Sequence, residues 1–200
     1  MTIRSGMTEL VQLVRQYAQA GTAEYTLGTD TYWSDAHLQD VLDRNRTDAY
    51  RESLAYEITY TDANIAQYLD YYFEYGNAER ASSGSAIWQV EDAAGSAIGT
   101  ATYDVEYGAR HITFNNSTAG SALYLNYHYY NVEMAASDVW QMKAANVAGN
   151  FDVRTDNHDL KRSQKFDQYM KMASYWRARA LSSQGANTGE SYLIRSDVNP

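Results

Sequence analysis

The apolar residues of this chain change period twice, and that double switch constrains the fold more than any other feature. From Glu9 to about Arg51 they recur at helical spacing. From Leu54 to Tyr130 they alternate, as in strands. From Val132 to Trp176 they return to threes and fours. Helix, helix, about six strands, helix, helix is a segregated order, and it predicts an α+β fold rather than an alternating α/β one. The economical arrangement is a helical core of about four helices, residues 1–52 and 131–181, with an antiparallel β unit, residues 53–130, inserted between the second and third. Residues 182–200 are expected to form an extended, flexible docking tail.

The first six residues read as a loose start. Thr8 is placed to cap a helix over about Glu9–Ala20, with Leu10, Leu13, Val14 and Tyr17 as its stripe and Gly21 as its stop. Ser34 is a second N-cap, with Asp35 in the first turn where the helix dipole favours a carboxylate. Leu38, Val41, Leu42 and Ala49 continue that helix to about Arg51, and Trp33, Leu38 and Leu42 are candidate packing residues. The predicted strands are Leu54–Tyr60, Tyr68–Tyr75, a short run at Ile87–Val90, Ala101–Tyr107, Ile112–Phe114 and Ala122–Tyr130. Tyr103, Val105 and Tyr107 share one face of their strand, and Leu123, Leu125, Tyr127 and Tyr129 one face of theirs. The chain holds 19 tyrosines against four phenylalanines. Tyrosine offers apolar area with a polar tip, which suits a sheet with a wet face or a protein contact.

The segment Tyr129–Trp176 reads as two amphipathic helices joined by a polar turn. The first buries Val132, Ala136, Val139, Trp140, the stem of Lys143, and Val147. The second aligns Leu160, Phe166, Tyr169, Met170, Ala173 and Trp176. Val139, Trp140 and Met170 are the candidate packing residues here. Asp156-Asn-His-Asp159 has the ligand types for a metal, but it reads first as the start of the last helix, capped by Asp156 or Asn157. Lys161, Arg162, Lys165 and Lys171 lie along that helix as a basic surface, facing a neighbouring subunit or negative charge. After Ala180 the composition turns to a linker, and Tyr192-Leu193-Ile194-Arg195 is an apolar patch suited to docking.

The formal net charge is −9. Residues 143–179 carry eight basic and four acidic side chains, a local +4 that leaves −13 for the rest. Such a body is a poor free-standing DNA binder. There is no cysteine, so disulfides and thiolate metal sites are excluded. No run approaches the roughly 18 apolar residues of a membrane span, and no signal-peptide core begins the chain. A soluble protein made in the cytosol, without membrane partners, is expected. No phosphate loop, nucleophile elbow or His-ligand pair occurs. Asp70 with Glu74, and Asp104 with Glu106, are paired carboxylates, but nothing in their spacing singles them out for glycosidase chemistry. The expectation is no enzyme, with no catalytic residue, no cofactor and no metal.

Two blocks carry a family resemblance. AASDVWQMKAANVAGNFDVRTDNHDLKRSQKFDQYMKMA resembles the C-terminal helices of head–tail connector proteins of tailed bacteriophages. YWSDAHLQDVLDRNR looks like the second helix of the same proteins. Together they cover about a third of the chain, and the β unit departs from the all-helical connectors. The resemblance implies an adaptor, or head-completion, protein in the virion at the head–tail junction. Such proteins form a ring, usually of twelve copies, beneath the portal and lengthen the DNA channel toward the tail. The implied partners are the portal protein, neighbouring copies, the next neck or tail protein and, by proximity, packaged DNA. On this chain the portal-docking residues would be Tyr192, Leu193, Ile194 and Arg195. Rival readings are another neck protein, a stopper or tail terminator, or a tyrosine-rich β module in which Trp88 and tyrosines stack on carbohydrate or a host surface. A metal enzyme built on Asp156, His158 and Asp159 is the third class.

Overall fold

The computed structural model describes residues 3–27, 29–81, 87–148, 153–155, 158–160 and 163–185. The fold is α+β, and the chain divides into two compact units, Met1–Ala135 and Ala136–Pro200.

In the first unit a 3-10 turn, Ser5–Met7, runs straight into α1 (Thr8–Ala18). Thr8 is therefore already helical and its hydroxyl donates back to the Ser5 carbonyl (3.2 Å), so it is not the cap. The helix also stops earlier than Gly21: Gln19 takes the left-handed conformation (φ 47°) and its N–H reaches the carbonyls of Arg15 and Gln16. Tyr25–Leu27 (β1) and Asp30–Tyr32 (β2) form a small hairpin that the apolar pattern did not signal. α2 (Asp35–Arg44) opens as expected, with Ser34 Oγ accepting from the His37 N–H at 3.3 Å. It ends at Arg44, not Arg51. Residues beyond Leu42 offered the helix only Ala49 as apolar surface, and the threonine- and tyrosine-bearing segment Arg46–Ser53 gains a full strand ladder instead.

That segment is β3. It is followed by β4 (Ala55–Tyr60), β5 (Ala66–Tyr72), β6 (Trp88–Glu91), β7 (Tyr103–Glu106), β8 (His111–Phe114) and β9 (Tyr124–Tyr130), all paired antiparallel. They make two sheets, ordered β3-β9-β6 and β4-β5-β8-β7. One core is shared between them: Tyr71, Tyr103, Ile112 and Phe114 from the second sheet with Trp88, Val90, Leu125 and Tyr127 from the first. Each such side chain contributes about 1.5–3 kcal/mol by leaving water. Tyr71 and Tyr127 are tolerated inside because their hydroxyls are partnered. Tyr127 Oη donates to Glu52 Oε2 (2.8 Å) and accepts from the Tyr75 N–H (3.1 Å), and Tyr71 Oη meets Thr118 Oγ1 (2.5 Å). The expected faces hold: Leu123, Leu125 and Tyr127 are buried with Tyr129 against the cluster, as are Tyr103, Val105 and Tyr107.

The second unit contains most of α3 (Val132–Ala148), a hairpin of β10 (Val153–Thr155) and β11 (His158–Leu160), and α4 (Ser163–Gly185). The hairpin replaces the expected helix start. Leu160, His158 and Asp159 lie on β11, and α4 begins only at Ser163, while Asp156 and Asn157 fall outside the described residues. The helix continues through Gly185, past the linker expected after Ala180. Val139 and Trp140 are buried, and Lys143 is buried by its stem as predicted, its ammonium 5.1 Å from the Trp140 ring.

Candidate functional site: a buried charge cluster and two open faces

Arg4, expected in a loose segment, is the centre of the most connected polar group among the described residues. Its guanidinium forks onto Asp43 of α2 (Nη1–Oδ2 2.9 Å, Nη2–Oδ1 2.5 Å), donates from Nε to Glu79 (2.8 Å) and reaches Tyr130 Oη (3.0 Å). Tyr130 Oη in turn donates to Glu79 Oε2 at 2.6 Å. Glu79 is fully buried, and its backbone N–H donates to the His128 carbonyl. His128 is buried with Nε2 3.4 Å from Asp48 and Nδ1 3.6 Å from Glu79, too far and too ill-directed for a hydrogen bond. The hydrogen bonds to Asp43, opposed by burial and joined by Glu79, push the Arg4 pKa up, so the group is charged at any working pH. Burial first, and then the bond to Glu79, raises the Tyr130 phenol. The cluster ties the N-terminal segment to α2, the Asn77–Arg80 loop and β9. Gly6 is required for this approach, because a Cβ there would stand 2.3 Å from the Arg80 carbonyl oxygen.

The outer face of the four-stranded sheet is the first open surface. Cross-strand partners share a face, so Glu57, Asp70, Thr113 and Asp104 form one row and Tyr72, His111 and Glu106 the next. Tyr72 stacks on His111 (4.9 Å) and donates to Glu57 (3.1 Å), and His111 Nε2 meets Asp70 at 2.9 Å. The hydrogen bond to Glu57 is the main reason that the Tyr72 phenol is raised. Asp104 and Glu106 do share a face, as their spacing required, and Asp70 joins them; Glu74 lies beyond the end of β5. Edge strand β4 is exposed throughout, and Tyr56, Ile58 and Tyr60 are among the most open large apolar side chains.

The second open surface is α4. Phe166, Tyr169, Ala173, Trp176 and Ala180 form its inward stripe, Tyr169 lying 5.3 Å from the Trp140 ring and the Ala173 carbonyl accepting from Ser137 Oγ (2.9 Å). Met170, offered by the sequence as a packing residue, is instead 38% exposed. It sits one residue, or about 100° of helix, off the Tyr169 stripe. Tyr175 and Leu181 are also open, with Lys165, Lys171 and Arg177. Lys165 and Lys171 are exposed on the helix, whereas Lys161, Arg162 and the docking residues Tyr192, Leu193, Ile194 and Arg195 lie outside the described residues. Trp33, Leu38 and Leu42 are fully buried.

An open cleft of about 800 Å³ is lined by Asp30, Tyr32, Asp35, His37, Asp40 and Arg44. Burial lowers the His37 pKa there. Among the described residues no three carboxylate or imidazole groups converge as a metal site requires, and no helix is long and apolar enough to cross a membrane. Trp88, nominated for sugar stacking, is buried among Phe73, Tyr107 and Tyr127 and cannot present its face.

Sequence could not pair Arg4 with Glu79 across 75 positions. The available signal was that Arg4 is the lone cation before Arg15, in a segment otherwise without charge except Glu9. No protein-family model, curated protein or solved structure matches the chain.

Proposed function

We propose that this chain is a structural virion subunit, a head–tail adaptor that closes into a ring beneath a phage portal and extends the DNA channel toward the tail. The observation that carries the reading is α4. It is a 23-residue helix that buries one stripe and leaves cations and large apolar side chains open along its remainder. An isolated domain has no use for such a flank, whereas a subunit that must be gripped by others does. The two segments with connector resemblance support it further: YWSDAHLQDVLDRNR contains the capped α2, and the longer block contains most of α3 and the first part of α4. The β10–β11 hairpin lies between those helices in the chain.

In this role the acidic body keeps the subunit from sticking to packaged DNA by itself, and closure of the ring places any basic side chains that face the lumen beside passing phosphates. Residues 186–200, with Tyr192, Leu193 and Ile194, would enter the portal. The purified chain mixed with its portal, observed by native mass spectrometry and electron microscopy, is expected to show a ring, of twelve copies if it matches the portal. A chain truncated after Gly185 is expected to keep its circular dichroism spectrum and lose portal attachment. A monomer that ignores portal at tens of micromolar would overturn the reading.

The exposed Tyr50, Tyr56 and Tyr60 favour a second reading, a β module that stacks on carbohydrate. Glycan-array binding by the monomer, lost in a Tyr56→Ala/Tyr60→Ala variant, would support it over the adaptor.

A further inference from the structure

We propose, resting on the ring reading, that the outer flank of α4 in one copy docks across the acidic sheet face of the next copy, and that this contact closes the ring. The charge is partitioned to suit it. Residues 1–135 carry 18 acids against seven bases, a net −11, while residues 136–200 carry nine bases against seven acids, a net +2. Six of the seven arginines in the first unit are used internally. Arg4, Arg15, Arg46, Arg51 and Arg80 pair with carboxylates, and Arg110 donates to the Glu74 carbonyl (2.6 Å).

The four carboxylates of the sheet face receive no such partner. Glu57 and Asp70 meet only Tyr72, His111 and Thr113, and neither Asp104 nor Glu106 takes part in an ion pair among the described residues. On α4 the position is reversed. Lys171 and Arg177 are exposed and pair with no carboxylate among the described residues, and Asp167 is the helix's one acid.

The spacings correspond. Asp70 and Tyr72 stand two residues apart on one face of β5, about 6.6 Å. Lys171 and Tyr175 are one turn apart on the outward line of α4, a rise of about 6 Å. A helix lying along the strands therefore sets Lys171 over the carboxylate row and Tyr175, 54% exposed, over the Tyr72–His111 stack, while Arg177 stands about 120° round the helix from Lys171 and adds its charge from the flank. A second copy fits this face better than nucleic acid, whose phosphates the carboxylates repel. Because helix and sheet are different patches, the contact is heterologous and propagates head to tail, which a ring requires.

The test uses the full chain and two variants, Lys171→Glu/Arg177→Glu and Asp104→Lys/Glu106→Lys, each checked for an unchanged melting curve. Sedimentation velocity and native mass spectrometry read assembly from 50 to 500 mM NaCl. Wild type is expected to form rings that weaken as salt rises. Each variant alone should need about 30-fold more protein for half-assembly, since attraction between the two faces becomes repulsion. An equimolar mixture should restore assembly in alternating rings, because every junction is then oppositely charged. Variants that assemble like wild type overturn this interface and leave the ring reading standing. Folded variants that fail alone and are not rescued by mixing overturn the pairing between copies. A wild type that stays monomeric, with or without portal, overturns both.

Discussion

Replacing Arg4 by methionine isolates the energetic role of the buried charge cluster. Arg4→Met keeps much of the aliphatic volume and removes the guanidinium that holds Asp43, Glu79 and Tyr130 together. The Arg4 and Asp43 side chains are 23% and 28% exposed, so solvent screens their half of the loss and it costs at most about 1 kcal/mol. Glu79 is different: its side chain has no exposure, and without Arg4 its one remaining side-chain hydrogen bond is from Tyr130. Breaking a buried pair in this way typically costs about 3–5 kcal/mol. Partial access through the Arg4 position relieves some of that, and the expected loss is about 3 kcal/mol. In urea, with a slope of about 2 kcal/mol/M, the midpoint for the first unit should fall by about 1.5 M. Arg4→Met/Glu79→Met should recover most of the loss, because no charge is then stranded, giving a coupling energy above about 2 kcal/mol. A single-variant loss below about 1 kcal/mol, or a double variant as unstable as the sum of its parts, would refute the reasoning.

Trp140 and Met170 make a contrast in the second unit. Trp140→Ala is expected to destabilise by about 3–5 kcal/mol, and Met170→Gln by less than about 0.5 kcal/mol, both read by thermal or urea denaturation. A large Met170 effect in the monomer would place it in the core after all. Alkaline stability follows from Tyr127 and Tyr130, whose phenols are raised above the ordinary value chiefly by burial, and then by Glu52 and Glu79 respectively. A raised folded-state pKa leaves stability intact below pH 10 and erodes it above, as the unfolded phenol ionises and the folded one does not. The slope is about 1.4 kcal/mol per pH unit for each tyrosine. Denaturation midpoints should therefore drop steeply between pH 10 and 11, and less so in Tyr130→Phe; a flat profile to pH 11 would contradict the burial.

Fold class was legible because the two periods differ so sharply. Tyr103, Val105 and Tyr107, and the stripe from Leu123 to Tyr129, could be assigned to faces by alternation alone. The Arg46–Ser53 strand was not legible, since nothing local forbids a helix there and its ladder partner, Arg46 opposite Tyr130, lies 84 positions away. The β10–β11 hairpin was hidden for a related reason: Asp156-Asn-His-Asp159 serves as a turn as readily as a cap, and a three-residue strand leaves no period to read. Met170 was misplaced by one helical position, which is all that separates the inward stripe from the open flank. Of the two open faces, the basic residues of α4 were visible in composition. The acidic face was not, because Glu57, Asp70 and Asp104 become neighbours only once strand order is known.

The choice between arginine and lysine follows the same division. Every basic residue before Lys143 is arginine, and all four lysines come at or after that position. Arginine's planar fork holds carboxylates in fixed geometry, as Arg4 does with Asp43, and its weak hydration lowers the cost of partial burial. Lysine is a strongly hydrated point charge on a flexible stem, suited to an exposed surface that must adapt to a partner. A unit that uses six of its seven arginines on its own chain has little positive charge to lend, and its surplus acid would be met from outside in the proposed ring. The open cations of α4 are the complementary supply, and in a ring each copy would provide them to its neighbour.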